Sequence, residues 1–161
     1  KQTYPNSCGA AVLSAVYKFY GINETEEEIW TRLKKPRPGG TVEFIWSKDM
    51  VTDASSKGFN AYWKSIDITQ EKTVFKLLQN LKKANIPTII VHQFKKEIPG
   101  MGHFRIITDV TKKSVYMHDP DQEIGGPNQR WGWRKLISFW KPSGSEVAGG
   151  VYIVIQQRNG S

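Results

Sequence analysis

Three residues of the chain are of the types that together make an activated thiol. Cys8 is the single cysteine among 161 residues, His103 stands at the head of a β-rich segment, and Asp119 stands at the end of the next such segment. A thiol attacks a carbonyl carbon as the thiolate, so it needs a base to take its proton and a carboxylate to orient that base. Cysteine, histidine and aspartate at these positions indicate nucleophilic catalysis by a thiol.

The surroundings of Cys8 favour this chemistry. Cys8 follows the loop residues Pro5, Asn6 and Ser7 and begins a helical pattern that runs to about Tyr20. The free N–H groups and the positive dipole end of a helix N-terminus stabilise a thiolate. Gln2, six residues upstream, carries an amide that is able to donate to an oxyanion beside the thiol. The alternative is that the cysteine is an inert, buried apolar residue, as lone cysteines commonly are.

The motifs around these residues resemble a known family. Gln2-x5-Cys8-Gly-Ala-Ala, Gly102-His103-Phe104 and His118-Asp119-Pro120 look like the motifs of C39 peptidases and C39-like domains, which are papain-like cysteine peptidases. The best-known members remove double-glycine leader peptides from bacteriocins, as the N-terminal domain of an ABC exporter. The resemblance covers nearly the whole chain. It implies that Cys8 is the nucleophile, His103 the general base, Asp119 its orienter and Gln2 the oxyanion donor.

Three further residues are candidates for binding substrate. In C39 domains a turn similar to Gly39-Gly40-Thr41 lies near the cleft, so the resemblance makes Gly40 a candidate wall of the substrate groove; a plain helix–helix connection is the alternative. Trp131 and Trp133 are aromatic residues in a segment rich in glycine and asparagine. They are either core anchors or a hydrophobic wall of the cleft, and the sequence does not separate these two interpretations.

The remaining histidines and carboxylates fit the catalytic roles less well. His118 directly precedes Asp119, and alternation along a strand points the two side chains to opposite faces. His92 lies within an apolar strand and is interpreted as an ordinary structural residue. Asp121 is the alternative orienter, whereas Asp109 lies six residues beyond His103 on the same strand and is too far away.

Composition limits the partners and the cofactors. With 39% hydrophobic residues the chain is globular, and no apolar run approaches the roughly 18 residues of a membrane span. The net charge of +8 suits a solvated basic surface, an acidic peptide, an anionic membrane or a nucleic acid. The basic residues are dispersed, which argues against nucleic acid as the main partner. No histidine or cysteine spacing fits zinc, and the proposed chemistry needs no metal and no cofactor.

The order of elements predicts an α+β fold. Helices are expected over about 8–20, from the Thr25–Glu28 capping box onward, over about 42–57 and over 71–84. Strands are expected at 60–63, 87–94, 103–110, 114–118 and 151–156, with a short helix over 133–140. Helices first and an antiparallel sheet second match the papain-like architecture, with the thiol on a central helix and the histidine on the sheet.

The prediction is a single C39-like peptidase domain over residues 1–161, expected to be part of a longer protein. Its substrate would be a peptide or protein, cleaved after small residues of the Gly-Gly type if the leader-peptidase role holds. One alternative is a bacterial toxin or effector domain with an immunity or inhibitor protein as partner. Another is a non-catalytic binding module. The two expected locations are the cytoplasmic face of an exporter, with the membrane part outside this sequence, and a secreted protein.

Overall fold

The computed structural model describes residues 3–4, 6–37, 40, 42–121, 125–144 and 146–158. The helices are α1 (Cys8–Phe19), α2 (Glu26–Leu33), α3 (Ser47–Ser56), α4 (Glu71–Lys83) and α5 (Trp133–Trp140). The strands are β1 (Lys35–Pro36), β2 (Glu43–Phe44), β3 (Asn60–Ser65), β4 (Thr88–Lys95), β5 (Ile98–Val110), β6 (Ser114–His118), β7 (Gln129–Gly132) and β8 (Val151–Gln156). The fold is α+β, as the sequence predicts.

Local sequence signals account for the helix boundaries. In α2 the Thr25 hydroxyl accepts from the backbone N–H of Glu28, and the Glu28 carboxylate accepts from the N–H of Thr25. This confirms the predicted capping box, which satisfies two N–H groups that the helix leaves without partners. After α1 the chain turns at Gly21, whose φ of +83° suits glycine.

A six-stranded antiparallel sheet in the order β3-β8-β4-β5-β6-β7 forms the centre of the molecule. Alternate residues of its central strands face two different apolar clusters, so helices cover both faces of the sheet. Buried residues of α1, α2 and α3 pack on one face, and those of α4 and α5 pack on the other. Because β3 of the helical first half pairs with β8 at the end of the chain, the two halves share one sheet.

Two sequence predictions about local structure are wrong. The helix expected over 42–57 begins only at Ser47, because Glu43 and Phe44 pair with Pro36 and Lys35 in a small antiparallel ribbon. Trp131, for which no strand was predicted, lies on β7, which pairs with β6. The helix predicted over 133–140 is confirmed as α5 and begins at Trp133. Both strands have four residues or fewer, too few to show an alternating pattern in the sequence.

Among the described residues, no helix has both the length and the apolar character needed to cross a membrane.

Candidate active site

Cys8 is the first residue of α1, and the loop before it is held by a carboxylate from the next helix. The carboxylate of Glu26 accepts from the backbone N–H of Thr3 at 2.7 Å and from the hydroxyl of Ser7. The oxygen of the Ser7 hydroxyl also accepts from the backbone N–H of Tyr4 at 3.0 Å. Ser7 is fully buried and Cys8 is 7% exposed. The thiol is thus presented from a fixed turn at a helix N-terminus, where the helix dipole favours negative charge.

The residue after Cys8 must be small. A Cβ on Gly9 would lie 3.1 Å from the Cβ of Ile45 and 3.3 Å from the Phe104 ring. These distances are shorter than ordinary packing contacts, so glycine lets the first turn of α1 approach both the α3 side and β5. Phe104 follows His103 directly on β5. The glycine therefore helps to bring the thiol next to the histidine.

His103 and Asp119 form a buried hydrogen-bonded pair. The Nε2 atom of His103 lies 2.6 Å from Oδ1 of Asp119, and each residue is 3% exposed. The same oxygen of Asp119 also accepts a hydrogen bond from the backbone N–H of Asp121 at 2.9 Å. Because Nε2 is engaged by Asp119, Nδ1 is the ring nitrogen left for Cys8, whose charge and hydrogen bond are among the causes that raise the pKa of His103. Thiol, imidazole and carboxylate are thus connected in that order.

Arg105 is a member of this cluster that the sequence interpretation missed. Its Nε and Nη2 atoms both donate to Oδ2 of Asp119, at 2.8 and 2.6 Å. His103 and Arg105 are two residues apart on β5, so their side chains project from the same face of the strand. The spacing His-x-Arg in a strand beside a required carboxylate was the signal available in the sequence.

The electrostatics of the pair favour an imidazolium next to a carboxylate. Burial lowers the pKa of His103, but the charge of Cys8 and the hydrogen bonds to Asp119 and Cys8 outweigh burial and raise this pKa to about 9. Burial raises the pKa of Asp119, but the bond and charge of His103 and the charge of Arg105 outweigh it and lower the pKa to about 2. At neutral pH His103 is therefore protonated and Asp119 is ionised.

An aromatic layer supports the cluster from behind. The guanidinium carbon of Arg105 lies 4.1 Å from the centre of the Trp131 ring, and Trp131 is 5% exposed. His92 is paired with His103 across the strands, is fully buried, and has its ring 5.4 Å from that of Trp131. Burial and the charges of Arg105 and His103 lower the pKa of His92 far below its ordinary value, so this histidine is neutral.

A second ion pair stands beside the strand that carries His103. The Arg37 guanidinium donates to both oxygens of Glu146, at 2.9 and 3.0 Å, and the backbone N–H of Gly102 donates to the same carboxylate. A cavity of only about 20 Å³ lies here. Its lining comprises Phe44, Ile45, Trp46, Ser47, Val91, Gly102, Phe104 and Glu146. Ile45 and Phe104 are the two residues that approach Gly9, so this narrow space adjoins Cys8.

A larger cavity of about 330 Å³ lies elsewhere, between α1, α4 and β5. Ala15, Phe19, Leu78 and Ile106 are among its lining residues, and Cys8, His103 and Asp119 are not. The size of a cavity therefore does not identify the reactive centre in this molecule, whereas the polar cluster does.

The other candidate residues take varied positions. Gln2 lies outside the described residues. Gly40 donates its backbone N–H to the carbonyl of Arg37 at 3.1 Å, which places it in the loop next to the Arg37–Glu146 pair. Trp133 packs on Phe75 and donates its indole N–H to the carbonyl of Thr111, away from the cluster. The substrate-binding roles of Gly40, Trp131 and Trp133 stay predictions.

The residues that were given lesser roles also have identified partners. His118 accepts from the backbone N–H of Asn128 through Nδ1. Asp109 pairs with Lys82 on the surface. Among the described residues, no group of three or more histidine, cysteine, aspartate or glutamate side chains is arranged to hold a metal ion.

Comparison with known proteins places this site in context. The model of the Peptidase_C39 like family matches residues 1–148. No curated protein sequence matches the chain.

Several solved structures share the fold. The peptidase domain of Streptococcus ComA, a bifunctional ABC transporter involved in a quorum-sensing pathway, is 21% identical, with 98% of this chain and 96% of that chain covered and a TM-score of 0.69. A protein described as a C39-like peptidase from Bacillus anthracis is 14% identical, with 96% and 90% covered and a TM-score of 0.67. A double-glycine motif protease from an AMS/PCAT transporter, in complex with its leader peptide, is 17% identical, with 98% and 89% covered and a TM-score of 0.61.

Proposed function

Because the chain belongs to the Peptidase_C39 like family, we propose that it is a cysteine peptidase whose nucleophile is Cys8. His103 is the general acid and base, and Asp119 orients it. The observation that carries this proposal is the buried hydrogen bond between His103 and Asp119, with the Cys8 thiol close enough to His103 to raise the pKa of the imidazole. A merely structural cysteine has no need of a protonated histidine and an ionised carboxylate aligned behind it.

Acylation follows from the charge state of the cluster. With His103 protonated at neutral pH, the thiolate of Cys8 attacks the carbonyl carbon of the peptide. The C–S bond forms and the carbonyl oxygen becomes an oxyanion, which the N–H groups at the start of α1 are able to stabilise, together with the amide proposed at Gln2. His103 then gives its proton to the amide nitrogen, the C–N bond breaks, and the amine leaves.

Deacylation uses the same histidine in the opposite sense. His103 is now neutral, and it accepts a proton from a water molecule that attacks the thioester carbon. The new C–O bond forms, the C–S bond breaks, and Cys8 leaves as the thiolate. The product is released as a carboxylate after losing its proton to solvent. The thiolate–imidazolium pair is thereby restored without any cofactor.

The substrate we propose is a peptide with small residues before the scissile bond. Two observations support it. The space next to Gly9 and Cys8 measures about 20 Å³ and is lined by Phe44, Trp46, Phe104 and Glu146 among others, a volume that fits a small side chain and not a large one. In addition, one protein that shares this fold is a double-glycine motif protease whose structure contains its leader peptide. Gly40, in the loop next to Arg37, belongs to the proposed wall.

A peptide panel tests this function. Peptides that differ only in the two residues before one bond, Gly-Gly, Ala-Ala or Leu-Leu, are incubated with the protein and analysed by mass spectrometry. We expect cleavage of the Gly-Gly peptide and none of the Leu-Leu peptide. Cys8→Ala is expected to abolish cleavage while leaving the melting temperature near that of the wild type. Cleavage that persists in Cys8→Ala would refute the role of Cys8. A wild-type protein that cleaves no member of the panel would refute the proposed substrate class.

A further inference from the structure

Asp119 holds two cationic side chains, one on each oxygen. Oδ1 accepts from Nε2 of His103, and Oδ2 accepts from both Nε and Nη2 of Arg105. The Arg105 side chain is 4% exposed and that of Asp119 is not exposed at all, so solvent contributes little to balancing their charges. A fork of two N–H donors on one carboxylate oxygen fixes the direction of the carboxylate as well as its charge. The arginine therefore acts on the same group that orients the base.

Arg105 changes the net charge that faces His103. Asp119 and Arg105 cancel, so the carboxylate facing His103 is already compensated. Without Arg105, the same buried carboxylate would have the imidazolium as its one close cation, and it would hold the proton of His103 more tightly. Tighter retention matters after acylation, when Cys8 is a thioester and no longer attracts the imidazolium.

We propose that Arg105 is a positioning residue that compensates Asp119, so that His103 releases its proton to the leaving amine and is neutral when water attacks the acyl-enzyme. The role rests on the proposed function, because it concerns a histidine that must both give and take a proton in each turnover. The contacts of Arg105 are with Asp119 and with the ring of Trp131, so it acts through Asp119.

Several other groups face the cluster, and their charges must stay constant in any test. They are Cys8 on α1, the neutral His92 on β4, Asp119 and Asp121 after β6, Lys135 of α5 over the ring of Trp131, and Glu146 at the N–H of Gly102. Cys8 is the one whose charge changes during turnover. A Cys8→Ala background removes that variable and leaves the histidine, the carboxylate and the arginine in place.

The experiment is a titration of His103 by NMR in the Cys8→Ala protein, which requires no peptide cleavage. Imidazole signals of His103 are followed from pH 5 to 10 in the Arg105 form and in Arg105→Met. We expect Arg105→Met to raise the pKa of His103 by about one unit or more, since removal of a nearby like charge favours the protonated form. Arg105→Lys, which keeps the charge, is expected to shift it by less than half as much.

Arg130→Met is the matched control, because it removes the same side chain from the same sheet. Arg130 donates to the hydroxyl of Ser114 and not to a carboxylate of the cluster. We expect no change in the titration of His103. If Arg105→Met does not fold, Arg105→Gln carries the same expectation, because it is polar and uncharged.

Turnover gives a second readout. In the uncharged Arg105 variants, deacylation at pH 7 should slow by about tenfold, because a pKa raised by one unit lowers the fraction of neutral His103 by about that factor. The rate should recover as the pH rises. A folded, uncharged Arg105 variant with an unchanged or lowered His103 pKa would overturn the proposal. The expected shift in a protein that cleaves no member of the peptide panel would support compensation of Asp119 by Arg105 and refute the proposed substrate class. Peptide cleavage by a protein in which Arg105→Met leaves the pKa of His103 unchanged would support the proposed function and refute the role of Arg105.

Discussion

The molecule contains two clusters in which a buried aspartate accepts two hydrogen bonds from an arginine and one from a third side chain. In the site cluster, Asp119 accepts from Nε and Nη2 of Arg105, at 2.8 and 2.6 Å, and from His103 at 2.6 Å. In the other cluster, between α1, α2 and α3, Asp53 accepts from Nε and Nη2 of Arg32, at 2.8 and 3.1 Å, and from the hydroxyl of Tyr17 at 2.6 Å. We call these the Asp119 cluster and the Asp53 cluster.

Arg105 is buried and donates twice to one oxygen of Asp119, whereas Arg32 is partly exposed and donates to both oxygens of Asp53. The difference that matters for proton transfer is the third partner. Burial and the hydrogen bond to Asp53 raise the pKa of Tyr17 far above its ordinary value, so this hydroxyl keeps its proton at every accessible pH. The pKa of His103, about 9, lies within the range in which a proton can be transferred in turnover. In the Asp53 cluster the carboxylate and guanidinium lie beside a phenol and have a structural role. In the Asp119 cluster they lie beside an imidazole, which is suited to proton transfer. An Asp–Arg pair alone does not indicate function.

The largest expected effect separates the two clusters by activity. Asp119→Asn removes the carboxylate that orients and stabilises the imidazolium, and we expect the kcat/KM for the cleaved peptide to fall by about 10³-fold. Asp53→Asn should leave kcat/KM per folded molecule within about twofold. The measurement is peptide cleavage normalised to the folded fraction from circular dichroism. Equal losses in both variants would mean that the clusters do not differ in function.

The next effect concerns stability, and here Asp53 matters as a structural ion pair. Asp53→Asn leaves Arg32 without its carboxylate partner in the cluster. Breaking a fully buried pair costs about 3 kcal/mol or more of the free energy of unfolding, and here the aspartate alone is buried, so we expect a loss of at most about 3 kcal/mol. Arg32 is itself 39% exposed in its side chain and also contacts Glu24, which limits the loss. Urea unfolding measures it. A loss below about 0.5 kcal/mol would contradict a stabilising role for the Asp53 cluster.

The pH dependence of stability should also differ between the clusters. The folded-state pKa of His103 is raised from 6.5 to about 9, so its contribution is fully present below pH 6.5 and is lost as the pH rises through 9. The contribution of His103 alone falls by on the order of 3 kcal/mol across this window, and we expect a smaller net fall in the free energy of unfolding of the wild type, because an ionised Cys8 has released a proton on folding. Most of this decline should vanish in His103→Gln and persist in Tyr17→Phe. An equal decline in His103→Gln would assign it to other groups.

The smallest expected effect is at an exposed ion pair. Lys82 and Asp109 pair on the surface with side chains 46% and 43% exposed. Asp109→Asn should change the free energy of unfolding by less than about 0.5 kcal/mol, because solvent screens such pairs. Cleavage activity should be unchanged. A change as large as that of Asp53→Asn would mean that burial is not what distinguishes the three pairs.

Much of the fold was predictable because its elements carry periodic signals. The apolar spacing of α4 and α5 and the β-rich segments of β4, β6 and β8 gave their boundaries to within one residue or so. The ribbon of Glu43 and Phe44 was missed because the apolar pair Phe44 and Ile45 fits a helix equally well. Pairing with residues seven to nine positions earlier decides the conformation there, and a local pattern does not contain that information.

The site was predictable in part for a similar reason. Cys8, His103 and Asp119 are of reactive types, so their order in the chain points to them directly. Arg105 is a type that usually lies on the surface, and its burial depends on a carboxylate fourteen residues later and on the ring of Trp131. Trp131 in turn reaches that position through pairing of β7 with β6, which the sequence did not reveal.

The most direct test of the account is the rate of Cys8 alkylation by iodoacetamide as a function of pH, in the wild type and in His103→Ala. The chain has one cysteine, so labelling reports on this thiol alone. The account predicts fast labelling at pH 6, well below the range of an ordinary thiol, and loss of this fast labelling in His103→Ala. A rate that rises only near pH 8.5 and is indifferent to His103 would contradict the central claim that Cys8 and His103 form a reactive pair.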